Sequence, residues 1–62
     1  MKYEDFKVGE TFYTGSPKFE LFGWTVIKLL PEYGCVEAKR IEEGYESTFD
    51  YEDFPLCRKE KE

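Results

Sequence analysis

Apolar residues recur along this chain in short alternating runs, which is the pattern of β-strands rather than of helices. The longest run, residues 19–30 (FELFGWTVIKLL), has apolar side chains in both phases of the alternation. A strand that is apolar on both faces is either covered on both sides or changes face at an irregularity. A chain of 62 residues is too short to cover a sheet on both sides. The pattern therefore predicts a strand that bends at Gly23.

The remaining strands are shorter and are separated by turn signals. Pro31 and Gly34 bracket one predicted turn, and Gly44 closes a predicted hairpin after two glutamates. Gly15 and Pro17 interrupt the chain before the long strand and predict a loop. Alternation then places half-buried strands over residues 10–14, 35–41 and 45–49.

Two identical tetrapeptides, YEDF, occupy residues 3–6 and 51–54. Each reads as one helical turn with carboxylates near its N-terminal end. The residues that follow the two copies differ, so we interpret the copies as similar caps rather than as an internal repeat. Pro55 then begins a predicted fifth strand, with Leu56 inward and Cys57 outward or at an edge.

These elements predict an all-β fold, a five-stranded, partly open barrel of the SH3-like kind. Turn signals about every ten residues are typical of barrels and sandwiches. Closure also limits the exposed strand edges of so small a chain. We expect residues 1–58 to form one such barrel and residues 59–62 to form a charged tail.

The opening FKVGETF, the strand through Gly23 and Trp24, the LLPEYGCVEA turn and the second YEDF together resemble an SH3-like barrel. The arrangement is similar to the type II plasmid dihydrofolate reductases and to short uncharacterised bacterial and phage proteins with F-x-V-G-x-x-F and FD-x-x-D patterns. The reductases carry catalysis on a Val-Gln-Ile-Tyr run in the fourth strand. Here that strand reads ESTF, residues 46–49, so the resemblance implies the fold without the activity.

The chain carries a formal net charge of −5, from 14 acidic and 9 basic residues. This balance argues against direct binding of nucleic acid, which requires a basic face. No apolar run approaches the roughly 20 residues of a membrane span. The charged N-terminal sequence lacks the apolar core of a signal peptide. We therefore expect a cytoplasmic protein with no membrane partner.

The residues offer little support for catalysis, metal binding or a cofactor. The chain has no His and no CxxC pair, so a structural zinc site is not expected. Cys35 and Cys57 lie far apart in the sequence and are interpreted as two free thiols in a reducing compartment; a disulfide between them would stabilise the domain, but nothing in the sequence forces it. Without a His partner neither thiol has an obvious activating base. The sequence predicts neither an enzyme nor a cofactor.

Aromatic residues are the better functional clue, because six Phe, five Tyr and one Trp exceed what so small a core needs. Tyr and Trp are over-represented at interface hot spots. The alternative is that several of them pack on the rim of the barrel with their polar ends in water. The candidate binding residues are Tyr13, Phe22, Trp24, Tyr33, Tyr51, Glu52 and Asp53.

Two functional hypotheses follow. The first is a non-catalytic protein-binding module whose tyrosine-rich, acid-flanked surface docks a basic or Pro-rich partner. The alternative is an acidic inhibitor, from a phage or a mobile element, that masks a basic site on a nucleic-acid enzyme. Self-association through open strand edges is a further option.

Overall fold

The computed structural model describes residues 1–16 and 18–60. In this part of the chain four antiparallel strands form one sheet, in the order β1-β2-β3-β4. The all-β prediction is confirmed, whereas the predicted five strands and barrel are not. The elements in chain order are η1 Tyr3–Asp5, β1 Thr11–Ser16, β2 Glu20–Leu30, β3 Cys35–Arg40, β4 Glu46–Phe49 and η2 Phe54–Leu56.

Both helices, η1 and η2, are single 3-10 turns of three residues. Neither helix in the described ranges is long or apolar enough to cross a membrane. The first predicted helical turn, at residues 3–6, corresponds to η1, where the Asp5 carboxylate accepts the backbone N–H of Lys2 at 2.9 Å. The predicted loop at 15–17 is wrong for its first two residues, because β1 continues through Ser16. Pro17 and residues 61–62 of the predicted tail lie outside the described residues.

The long strand β2 changes face, but not at the predicted glycine. Its pairing with β3 shifts register between Val26 and Lys28, which leaves Ile27 as the extra residue of a bulge. Before this bulge Trp24 and Val26 are buried, and after it Leu29 packs against the core. The prediction of a bend at Gly23 is therefore wrong. A bulge reverses the alternation, which explains the apolar residues in both phases.

Gly23 instead provides room for two neighbouring side chains on the outer face of the sheet. It lies opposite Tyr13 on β1, and its carbonyl accepts the N–H of Ile41 at 3.0 Å. A Cβ at this position would lie 2.9 Å from Ile41 Cδ1 and 3.5 Å from Tyr13 Cε1. The glycine thus marks a close approach between strands rather than a corner.

The predicted fifth strand from Pro55 is replaced by η2 and a single β-bridge. The predicted helical turn at 51–54 lies three residues later, over Phe54–Leu56. Pro55 has no N–H to give a ladder and suits the first turn of a helix. After η2 the chain returns to the sheet at one point, where Arg58 and Tyr13 exchange backbone hydrogen bonds of 2.7 and 2.8 Å.

The core lies between the inner face of the sheet and the two helical turns. Its rings meet edge to face, with Phe12 5.1 Å from Phe6 and 5.3 Å from Phe49 between centroids. Cys57 is buried and Leu56 is 64% exposed, so both predictions for these two side chains are wrong. The buried apolar residues are Phe6, Phe12, Trp24, Val26, Val36, Ala38, Phe49, Phe54 and Cys57.

Candidate functional site

The predicted binding residues do not form one surface. Trp24 is only 6% exposed and belongs to the core. Its indole N–H donates to Thr14 Oγ1 at 2.9 Å, and its ring packs 4.9 Å from Phe49. A buried donor of this kind needs a partner, and Thr14 supplies it. Trp24 therefore positions β1 against β2 and has no surface with which to contact a partner.

Phe22 is half-buried and faces a guanidinium group that the sequence did not single out. Arg40 Cζ lies 4.2 Å from the centroid of the Phe22 ring, 5.5 Å from Trp24 and 5.7 Å from Tyr45. These distances are within the range of cation–π attraction. Three rings thus surround a cation that is only 8% exposed. We name this group the arginine cage: Arg40, Phe22, Trp24 and Tyr45.

The polar contacts of Arg40 are incomplete. Its Nη1 donates to the Tyr45 hydroxyl at 2.8 Å, and its Nη2 lies 3.2 Å from Glu43 Oε1 at the surface. The Nε–H is buried and has no hydrogen-bond partner among the described residues. An unpaired buried donor lowers stability, so the rings and the two polar partners must offset its desolvation. The cage is consequently a structural feature of the core.

Tyr13 lies on the outer face of the sheet, away from the cage. Its backbone bridges to Arg58, and its ring covers Gly23. Together with Leu21, Ile41 and Glu42 these residues line a hollow of about 270 Å³. Tyr13 is half-buried, so much of its ring already contributes to packing across the sheet.

Tyr33 and Tyr51 are the two strongly exposed aromatic residues of the predicted set, at 75% and 76%. Tyr51 borders a groove of about 440 Å³, and Tyr33 lies in the turn immediately before Gly34, which also lines it. Tyr3 packs on the groove floor with its ring 6.5 Å from Phe54. We name this surface the tyrosine groove. Its lining residues are Met1, Lys2, Tyr3, Glu4, Gly34, Tyr51, Phe54 and Pro55.

The two predicted acidic residues beside Tyr51 differ in role. Asp53 Oδ2 accepts the N–H of Asp50 at 3.1 Å, and Asp50 Oδ1 accepts the N–H of Glu52 at 2.9 Å. These side-chain bonds to the backbone fix the turn that presents Tyr51. Asp53 is thus half-buried and structural, whereas Glu52 is exposed and has no cationic partner in the described part of the chain.

The N-terminal and C-terminal segments of the described chain meet behind the groove. The amino group of Met1 donates to the carbonyl of Phe54 at 3.0 Å and to that of Cys57 at 3.3 Å. Burial raises the pKa of the Cys57 thiol to about 11, which keeps it protonated at neutral pH. Both cysteines are free thiols. No three Cys, Asp or Glu side chains gather as a metal site within residues 1–16 and 18–60.

Sequence reasoning missed Arg40, Tyr3, Phe54 and Pro55. A signal existed for Tyr3 and Phe54, because the two YEDF copies to which they belong could have been expected to pack against each other. Their aromatic rings do so, with Phe6 and Phe54 4.9 Å apart. Arg40 gave no signal, since an arginine at the end of a polar strand is ordinarily exposed.

Comparison with known proteins identifies no family for this chain. No protein-family model, curated protein or solved structure matches the chain.

Proposed function

We propose that this chain is a small non-catalytic protein-binding module that docks a basic, Pro-rich segment of another protein in the tyrosine groove. The observation that carries the proposal is the exposed ring of Tyr51 on a groove that Phe54 and Pro55 also line, with the exposed Tyr33 next to the lining residue Gly34 in the sequence. Large exposed aromatic side chains beside a preformed groove are the usual anchors of protein interfaces.

The aromatic and proline lining of the groove favours a polyproline helix. Such helices are extended and preorganised, and their proline rings pack between aromatic side chains. Tyr3 and Tyr51 both line the groove, and Pro55 and Phe54 lie on η2 at its floor. A ligand of this kind needs no strand edge, because its prolines donate no backbone hydrogen bonds.

The charges around the groove favour a basic ligand. Glu4 lines it, while Glu32 and Glu52 adjoin the two exposed tyrosines in the sequence. All three are exposed and none has a cationic partner in the described ranges. The opposing charges at the groove are Lys2 and the amino group of Met1, whose donors are engaged by the carbonyls of Phe54 and Cys57. The net charge of −5 would also increase the association rate of a basic partner at low salt.

The non-catalytic part of the proposal is supported by the protonated Cys57 thiol and by the absence of His from the sequence. Two free thiols are also compatible with a reducing compartment such as the cytoplasm.

For the fold we propose a reduced SH3-like barrel in which the fifth strand has shrunk to one bridge. Support comes from the 3-10 turn η2 directly before Arg58 and from the paired hydrogen bonds between Arg58 and Tyr13. These bonds place the end of the described chain beside β1, where a closing strand would lie.

The experiment is a titration of the ¹⁵N-labelled protein with the peptide KPPRPPK, monitored through amide chemical shifts. We expect the largest shifts at Tyr3, Tyr51 and Phe54, with a smaller response elsewhere. A peptide with the prolines replaced by glycine keeps the charge and loses the polyproline helix, so it should bind at least about tenfold more weakly. If both peptides cause the same diffuse shifts, the interaction is only electrostatic and the proposal fails.

The alternative, an inhibitor that masks a basic site on a nucleic-acid enzyme, is favoured by one observation. Residues 41–57 carry six carboxylates and no Lys or Arg. It predicts inhibition of a nuclease or polymerase that weakens steeply with salt. Inhibition that is insensitive to salt would remove this alternative.

A further inference from the structure

The outer edge of β4 lies at the end of the sheet and pairs with no other strand among the described residues. Arg40 donates its backbone N–H to the carbonyl of Tyr45, so Ser47 and Phe49, at the alternate positions, also bond to β3. Glu46 and Thr48 therefore direct their N–H and C=O groups away from the sheet. Both residues are exposed. The edge thus offers two donors and two acceptors to another chain.

At Asp50, the next residue whose backbone groups point away from β3, the chain itself occupies the edge. The N–H of Asp50 donates to Asp53 Oδ2 at 3.1 Å. The carbonyl of Asp50 accepts the N–H groups of Asp53 and Phe54 at 2.9 and 3.1 Å. At the other end of β4, the chain turns back at Gly44, whose N–H bonds to the carbonyl of Arg40. The unpaired window therefore spans Glu46 to Thr48 and suits a short strand.

This window lies in the most acidic part of the molecule. Among the six carboxylates of the segment 41–57, only that of Glu43 has an ion-pair partner, Arg40, within residues 1–16 and 18–60. A basic strand at this edge would meet a predominantly acidic segment, in which Lys39, paired with Glu46 across β3 and β4, is the nearest opposing charge. The acidic residues of the segment 41–57 are Glu42, Glu43, Glu46, Asp50, Glu52 and Asp53.

A second copy of this chain fits the edge less well than a basic partner. Antiparallel pairing of two β4 strands about Ser47 would place Glu46 opposite Thr48 of the other copy, which satisfies the backbone. However, it would also bring the six carboxylates of one segment against the six of the other. Like charges across a strand pair oppose association.

The added strand would have two different faces. Its outward side chains lie beside Glu46 and Thr48, where lysine and arginine are favoured. Its inward side chains lie on the side of Phe49, which borders a cavity of about 380 Å³. This cavity is lined by Thr14, Gly15, Ser16, Phe49, Asp53 and Leu56. Because the exposed Leu56 and the edge of the buried Phe49 both line this cavity, apolar side chains are favoured at the inward positions.

We propose that β4 accepts an extended segment of a partner protein, with basic and apolar residues in alternation and without proline, as an additional strand. This mode is β-strand addition, in which backbone hydrogen bonds give affinity and alternate side chains give specificity. It goes beyond the tyrosine groove and does not depend on it, because a Pro-rich ligand lacks the N–H groups that this edge requires.

The test uses the blocked peptide RVKVR and two N-methylated analogues, each titrated into the ¹⁵N-labelled protein. We expect the amides of Glu46 and Thr48 to shift and to exchange more slowly with solvent. Two of the three basic residues lie directly opposite these two positions, and the N–H groups of all three point towards β4. N-methylation of the three basic residues should weaken binding at least about tenfold. N-methylation of the two valines, whose N–H groups point away, should change it less than about threefold.

A matched pair of variants tests the charge. Glu46→Gln should weaken peptide binding about threefold at low salt, while Glu10→Gln, which removes an exposed carboxylate just before β1, should have no effect. Equal effects of the two N-methylated analogues, or shifts centred on Tyr3 and Tyr51, would overturn the proposal. So would a concentration-dependent dimer in sedimentation without peptide in which the amides of Glu46 and Thr48 exchange more slowly, since a second copy would then occupy the edge. Continued binding of KPPRPPK in that case would leave the tyrosine groove intact as a separate site.

Discussion

Replacing Arg40 with alanine should lower the free energy of unfolding by about 2 kcal/mol. The charged hydrogen bond to Tyr45 at 2.8 Å contributes on the order of 1.5–3 kcal/mol. Contacts with the rings of Phe22 and Trp24 add about 0.5–2 kcal/mol. Removing the buried, unpaired Nε–H stabilises the folded state by about 1–3 kcal/mol, so this gain partly offsets the two losses. A chain of 62 residues is stable by only about 3–9 kcal/mol, so this loss is large.

The assay is urea unfolding followed by the fluorescence of Trp24, the only tryptophan, which is itself part of the cage. A loss of this size corresponds to a fall in Tm of roughly 10 °C. Lys39→Ala is the matched control, because it removes a neighbouring cation that is exposed. We expect that variant to stay within about 0.5 kcal/mol of the parent.

Arg40→Met separates packing from charge. It keeps an apolar stem between the rings while it removes the guanidinium, so we expect a loss of about 1 kcal/mol. If Arg40→Ala changes stability no more than Lys39→Ala does, the arginine cage does not hold β3 to the rest of the core, and the claim that it stabilises the fold is refuted. If Arg40→Met is more stable than the parent, the charge is a net cost to this fold.

Three further predictions concern the core and its edges. Thr14→Val removes the acceptor of the Trp24 indole N–H and should cost about 1–2 kcal/mol in urea unfolding. Gly15→Ala should cost at least about 2 kcal/mol, because Gly15 has a φ of 103° and a Cβ there would collide with the carbonyl oxygen of Glu20. The raised pKa of Cys57 favours the folded state while the thiol is protonated in both states, so the free energy of unfolding should fall from about pH 9.0 towards about 11 as the thiol of the unfolded chain ionises. In Cys57→Ala the free energy of unfolding should not show this fall with pH. If the variant shows the same fall as the parent, Cys57 is not its cause.

The strands could be predicted from sequence because their signals are local. Alternation predicted half-buried strands over residues 10–14 and 35–41, and these correspond to β1 and β3, in which Phe12, Val36 and Ala38 are buried. The bend in β2 could not be located in the same way. The position of a bulge depends on the pairing register between β2 and β3, which is a long-range property. The local sequence around Ile27 does not indicate it.

The candidate site was only partly predictable for a similar reason. Tyr33 and Tyr51 lie in turns, where exposure follows from local structure. Trp24 and Phe22 occupy the inner side of β2, and their surroundings are decided by Arg40 and Tyr45, which arrive from the β3–β4 hairpin. The predicted fifth strand does not form, because Pro55 favours a helical turn and only Arg58 pairs with β1.

The measurement that tests the central claim most directly is the affinity of KPPRPPK for three forms of the protein by calorimetry. We expect Tyr51→Ala to bind at least about tenfold more weakly than the parent, as an anchor residue would. Phe19→Ala removes an aromatic ring that is 90% exposed and does not line the groove, so its affinity should equal that of the parent. Equal affinity of all three forms, or equal loss in both variants, would contradict docking in the tyrosine groove.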